Sequence, residues 1–340
     1  MYRILLWFSF SLLLFSDTFK IASYNVQNLF DTHYDGREYP SYNPQLNPRW
    51  NDKVLEIKLN HIAQVICDLD ADILGVQEVE NTHAFNLLIQ KLTQVGCGYD
   101  YHTITTKKNA VIQVGLLSRY PIAKRKEIVV SHLDFVRNIL QVRVRVAEHD
   151  LTLFVNHWKS MAYKGVESKR IAYAKALQRA IKALDSAEEY VILGDMNADY
   201  NASAKLPKRL DDTEGLNAFS DILQTKMHGK LLTNKEMQTP QRGKHCSLWY
   251  EVPLPKRWSY RSYKHKSSLD HIVLPTQMFD HRGIDYLEGS FDVFRLKYLL
   301  TPKGYIRRWK YKKGRPRGYS DHLPIFASFV ITHNTKASEK

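Results

Sequence analysis

Short apolar runs that stop abruptly at polar residues set the rhythm of this chain. The run from Tyr190 to Leu193 reads as a buried strand, and it ends at Gly194-Asp195-Met196-Asn197-Ala198-Asp199. The same pattern recurs. Residues 19–25 alternate as a strand and lead into Asn25-Val26-Gln27-Asn28, and Ile73-Leu74-Gly75-Val76 delivers Gln77-Glu78-Val79-Glu80. Residues 111–118 form another candidate, closed by Arg119-Tyr120-Pro121. Leu140, Val142, Val144 and Val146 alternate with Gln141, Arg143 and Arg145, the period of a half-buried strand. Residues 151–155 run into Asn156-His157-Trp158-Lys159, residues 267–274 carry Ser268-Leu269-Asp270-His271, and a closing strand over 325–331 follows Ser320-Asp321-His322.

Between these runs the period lengthens to that of helices. Leu55, Leu59, Ile62, Ile66 and Leu69 share one helical face, a second helix is predicted over 82–94, and a third turns Ile171, Ala174, Leu177, Ile181 and Leu184 inward. Pro40, Pro44 and Pro48 mark a loop before the first helix. Between 199 and 267 no period is strong enough to assign elements. Strand-rich segments interrupted by a few helices, with no internal repeat or linker, predict one layered α/β domain over 17–331 in which helices cover stacked sheets.

Composition adds an address and a class of partner. Arg3 followed by an apolar run over 4–15 and by Ser16 reads as an export signal over 1–16, too short to span a bilayer comfortably. The protein is therefore expected in the periplasm or outside the cell, with an uncleaved anchor as the alternative. Residues 332–340 are polar and expected to be disordered. Cys67, Cys97 and Cys246 permit at most one bridge, which excludes a disulfide-built scaffold. No later stretch is apolar for long enough to be a membrane helix. A net charge of +14 favours a polyanion, either nucleic acid or an anionic membrane surface.

Candidate chemistry sits where the apolar strands end. Asp195 and Asn197 are two positions apart and point the same way on extended backbone, so both reach one phosphate or one hard cation. Glu78 is a strand-end carboxylate that invites a metal. His271 follows Asp270 on a strand, faces the opposite side and reads as a packing residue. Asn28 reads as a turn residue and Glu80 as a solvated acid at the start of a helix. For Asp199 a turn cap and a site residue stand level, as do groove and surface for Trp158 and Lys159. Two basic, aromatic-laced loops, 256–266 and 303–317, run directly into Asp270 and Asp321. The second holds Arg307, Arg308, Lys312 and Lys313, with Tyr305, Trp309 and Tyr311 between its cations and no acid.

Six motifs thus stand in order: Asn25, Gln77-Glu78, Asn156-His157, Gly194-Asp195-Met196-Asn197, Ser268-Leu269-Asp270 and Ser320-Asp321-His322. This ordered set resembles the endonuclease/exonuclease/phosphatase superfamily, which includes deoxyribonuclease I, exonuclease III, inositol polyphosphate 5-phosphatases and neutral sphingomyelinases. The resemblance implies a four-layer α/β/β/α sandwich with a metal-dependent phosphoesterase site along one rim. It makes Glu78 a principal ligand of Mg²⁺, with Mn²⁺ or Ca²⁺ as alternatives, Asn25 an aid in holding metal or phosphate, and Asp321 a neighbour of the metal. Asp195 would orient or deprotonate the attacking water, and Asn197 would hold the scissile phosphate. His322 would contact a phosphate oxygen with Asp270 fixing its tautomer. His157 matches the deoxyribonuclease I and sphingomyelinase branches. Lys159, Arg307, Arg308, Lys312 and Lys313 are the expected substrate-binding cations.

The expectation is a monomeric, exported, metal-dependent DNA endonuclease. The alternative is a sphingomyelinase-type lipid phosphodiesterase, in which Phe291, Phe294, Leu296, Tyr298, Leu299 and Leu300 form a membrane-touching loop. The preferred reading of that stretch is strand and core.

Overall fold

In a computed structural model the described residues are 17–161, 166–202, 206–241, 243–311 and 315–332. The expected export signal, Lys312 and Lys313, and residues 333–340 lie outside them. The twelve-residue strand β1 (Thr18–Leu29) runs parallel to β2 (Ile73–Val79) and antiparallel to the closing strand Ile325–Thr332. β3 (Tyr101–Ile104) and β4 (Gln113–Ser118) extend this sheet beyond β2, while Gly283–Tyr286 and Asp292–Val293 flank the closing strand. Thr332 pairs with Gly283, so the closing strand takes in the first residue of the predicted tail.

The second sheet contains β5 (Ile122–Ile128), β6 (Ile139–Val146), β7 (His149–His157) and β8 (Glu189–Asp195), continued by Asp270–Leu274 and Cys246–Ser247. β7 and β8 are parallel. Each parallel pair needs a crossover, and helices supply it: α1 (Asp52–Leu69) between β1 and β2, and α3 (Glu167–Lys182) between β7 and β8. α2 (Thr82–Gln94) matches the predicted bounds, its Asn81 cap accepting the Ala84 N–H at 2.9 Å.

Alternation along the strands builds the layers. Leu151, Leu153 and Val155 of β7, with Val191 and Leu193 of β8, join a core shared with β1, β2 and the buried faces of α1 and α2. Phe154 and Ile192 point the other way and pack with Ile171, Ala174 and Leu177 of α3. Helix, sheet, sheet and helix follow in that order, the four-layer sandwich expected. Where the two sheets meet, a Cβ on Gly75 would stand 2.8 Å from Leu193 Cδ1 and 3.2 Å from Val155 Cγ1, so a larger residue there would have to displace the facing side chains.

A disulfide joins Cys67 near the end of α1 to Cys97 beyond α2, and Cys246 is buried and free. The stretch without a legible period holds a π-helical turn, Ala218–Ile222, and a four-residue helix, Asn234–Met237. Phe291, Val293 and Leu299 are buried, as the core reading of that segment expects, although Leu296 is exposed. No helix among the described residues is long and apolar enough to cross a membrane.

Candidate active site

Strand register brings the motifs to one rim. Asn25 pairs with Gln77 across β1 and β2, His157 with Asp195 across β7 and β8, and Asp195 with Asp270 on its other side. Gly194 makes this alignment feasible, because at φ +129° a Cβ would lie 2.0 Å from the Asn156 carbonyl oxygen. At the ends of β1 and β2 the register shifts between Asn25 and Leu29. The left-handed backbone of Gln27, Asn28 and Glu78 absorbs the shift, as a bulge does beside many functional sites.

The side chains meet in one network. Asn25 Nδ2 donates to Glu78 Oε1 and to Asp195 Oδ2, each at 3.0 Å, and the backbone N–H of Asn28 donates to Glu78 Oε2 at 2.9 Å. His157 Nε2 faces Glu78 Oε1 at 3.8 Å and Asp195 Oδ2 at 3.6 Å. Asp195 Oδ1 accepts the N–H of Asn197, whose own Nδ2 donates to the Trp158 carbonyl. On the far side His322 Nε2 lies 3.8 Å from Asp195 Oδ2, while its Nδ1 is 2.8 Å from Asp270 Oδ2.

Burial sorts the charges. It pushes the Asp195 carboxyl up to about 7 against the pull of His322, and it raises Glu78 together with the negative charge of Asp321. His157, buried beside Arg137 and His322, is pushed well below the usual imidazole range and stays neutral. Burial would lower His322 too, but Asp270 and Asp195 outweigh it and hold the ring well above its ordinary value, as a cation. One histidine is thus a neutral donor atom and the other a fixed positive charge.

Glu78, His157 and Asp195 each bring a ligand atom within 4.8 Å of the other two. Two carboxylates and an imidazole suit a hard divalent cation of the Mg²⁺ or Mn²⁺ kind. Asn25 Oδ1 accepts the Gln27 N–H at 3.0 Å, which turns the amide nitrogen towards both carboxylates and holds these two acids in place. Asp321 stands outside the ligand group, paired with Arg308 at 2.7 Å.

Other residues settle as follows. His271 is buried, 2.8 Å from the Ala198 carbonyl and packed on Phe219, a core residue as predicted. Trp158 is fully buried, its indole donating to Asn156, and Asp199 clamps the Ser268 N–H and hydroxyl. Asn28 serves the site through its backbone, at φ 58°. Glu80 is corrected: it is buried, accepts the Asp31 N–H at 2.9 Å, and burial together with Asp31 pushes its carboxyl up to about 9. Lys159 lies apart from the Arg307 groove, beside a hollow lined by Ser168, Lys169 and Tyr173.

Arg137 lies outside every sequence motif. This buried guanidinium donates to the carbonyls of His157 and Trp158 at 3.0 and 2.8 Å. Ser259, whose hydroxyl donates to Asp270 Oδ2 at 2.5 Å, and Tyr260, whose ring centre is 4.9 Å from that of His322, belong to the basic loop that precedes Asp270. Their position ahead of a catalytic motif was the available signal.

Over residues 20–330 the chain matches the profile of the Endonuclease/Exonuclease/phosphatase family. No curated protein is matched. Similar solved structures include D. rerio TDP2 complexed with a single-strand DNA product, at 14% identity and TM-score 0.55, covering 92% of this chain and 98% of that one. Truncated Caenorhabditis elegans TDP2 aligns at 14% identity and TM-score 0.54, over 92% and 97% of the two chains. A Bacteroides thetaiotaomicron mannosyl-6-phosphatase aligns at 14% and 0.53, over 92% and 100%. At such identity these likenesses concern the fold.

Proposed function

The chain belongs to the endonuclease/exonuclease/phosphatase family of phosphoesterases, and from that premise we propose that it is an exported, Mg²⁺-dependent endonuclease acting on DNA. The observation that carries this reading is a cleft of about 520 Å³ lined by Arg261, Tyr305, Arg307, Arg308, Lys310 and Arg317, with no acid in its wall. Arg308 links the cleft to the site through Asp321, and the Arg261 guanidinium lies 3.9 Å over the Tyr305 ring. Cations of this kind meet backbone phosphates, and aromatic faces accept bases or sugars. Phe291 and Leu299 are buried and Phe294, Tyr298 and Leu300 are half-buried against the core, which leaves Leu296 as the exposed member of the lipid alternative's apolar loop. Export is supported by the apolar N-terminal run and by the Cys67–Cys97 bridge, a bond typical of oxidising compartments.

Hydrolysis of a phosphodiester needs charge on the non-bridging oxygens, a nucleophilic water and help for the departing alkoxide. A divalent cation held by Glu78, with His157 and Asp195 in reach, supplies Lewis acidity when bound. Asp195 Oδ2 takes the proton of the attacking water, burial having raised the carboxyl's affinity for a proton. His322 Nε2–H, held cationic by Asp270 at Nδ1, donates to a phosphate oxygen. Asn197, with one amide N–H on the Trp158 carbonyl, turns the other to the phosphate.

Purified protein with Mg²⁺ should nick supercoiled plasmid, and Glu78→Gln should need far more metal to do so. Plasmid left intact under conditions in which sphingomyelin vesicles or mannose 6-phosphate are hydrolysed would replace this reading with a lipid or sugar phosphoesterase.

A further inference from the structure

The loop after β1 and the turn after β2 gather Asp31, Asp35, Glu38 and Glu80 in one place. Asp35, Glu38 and Glu80 each bring an oxygen within 4.8 Å of the other two. Although the chain carries +14 charges, no Lys or Arg among the described residues forms an ion pair with any of these four acids. Asp31 is partnered by His83 at 2.9 Å and by Asn81 Nδ2 at 3.1 Å, and Asn81 also reaches Asp35 Oδ2 at 3.2 Å. Glu38 supplies the telling atom. The residue is 9% exposed, its Oε1 accepts the Asp35 N–H, and its Oε2 is buried with no hydrogen-bond partner. A buried carboxylate oxygen without a donor, among other carboxylates, has the environment of a cation ligand rather than of a core acid.

We propose that Asp35, Glu38 and Glu80 form a second divalent-cation site, distinct from the catalytic one, and that it takes Ca²⁺. Three oxygens within 4.8 Å of one another need to close to no more than about 4.5 Å to share one ion at the Ca²⁺–oxygen distance of about 2.3–2.6 Å, a shift of a few tenths of an ångström at most. Carboxylates from an irregular loop suit the flexible coordination of Ca²⁺ better than the strict octahedron of Mg²⁺. The ion ties the loop after β1 to Glu80, two residues beyond Glu78, and so braces the turn that presents the catalytic carboxylate.

The site is tested in a Glu78→Gln background, which weakens the catalytic metal position. Chelator-stripped Glu78→Gln protein, titrated calorimetrically with Ca²⁺, is expected to bind one ion and to melt at a higher temperature with it. Adding Glu38→Gln should weaken that binding by at least about tenfold and remove the thermal shift. Adding Asp35→Asn, at an exposed position that folding tolerates, should do the same. The proposal fails if Glu78→Gln binds no Ca²⁺ at millimolar concentration. It fails equally if both added substitutions leave the Ca²⁺ isotherm unchanged.

Discussion

His271 and His322 show how position decides what one side chain does. His322→Ala should cut turnover per folded molecule by about 10²–10⁴, because the ring supplies charge at the rim. His271→Ala should lower the melting temperature, since it removes contacts to Ala198, Ser247 and Phe219, yet spare turnover per folded molecule. Assaying both at equal folded fraction checks this, and equal inactivity would mean that the two faces of the strand have been misassigned. Alternation made this pair legible, because Asp270 and His271 must face opposite ways. The Asn25 amide was not legible, since its direction depends on a hydrogen bond to the Gln27 N–H that only the bulge creates. Asn25→Ala should therefore lower kcat while shifting the metal midpoint less than Glu78→Gln does. A larger metal shift in Asn25→Ala would make Asn25 a ligand.

Elements were readable in proportion to their length. α1 and α2 bury several turns of one face, so their period stands out, whereas the π-helical turn Ala218–Ile222 is shorter than one repeat of any pattern. What anchors this short segment is a buried histidine outside every motif. His245 Nδ1 donates to the Leu223 carbonyl at 2.6 Å, and its Nε2 accepts from the Tyr190 hydroxyl at 2.9 Å, joining the turn to β8. Burial pushes this ring down from 6.5 to about 4. A histidine depressed in the fold binds its proton more readily when unfolded. Its contribution is complete above pH 6.5 and is lost as the pH falls from 6.5 through about 4. The loss is on the order of 3 kcal/mol for a shift of this size. Urea unfolding across that window should show a shallower pH dependence for His245→Gln than for the wild type. Parallel curves would exclude the buried neutral ring as the cause.

At the scale of the whole molecule, the class and layer order were legible because strand ends and helical faces are local patterns. The order of strands within each sheet was not, since pairings such as Asp195 with Asp270 join residues far apart in sequence. Charge poses the same question of local against global. A surplus of +14 attracts any polyanion, so a salt-dependent affinity for DNA would not by itself identify the cleft as the binding surface. The slope can. Each cation that meets a phosphate should contribute about 0.7–0.9 log units of affinity per log unit of salt. Replacing Arg261, Arg307, Lys310 and Arg317 with Gln should therefore flatten the slope by about 3 if all four make contact. If binding is spread over the 49 Lys and Arg residues, the same change removes fewer than a tenth of them and the slope barely moves. Hydrolysis of a small diester that reaches only Asp195, Asn197 and His322 should be unaffected in either case. A loss of that activity would show that the substitutions had disturbed the rim itself, through Arg308 and Asp321, and had not measured the cleft.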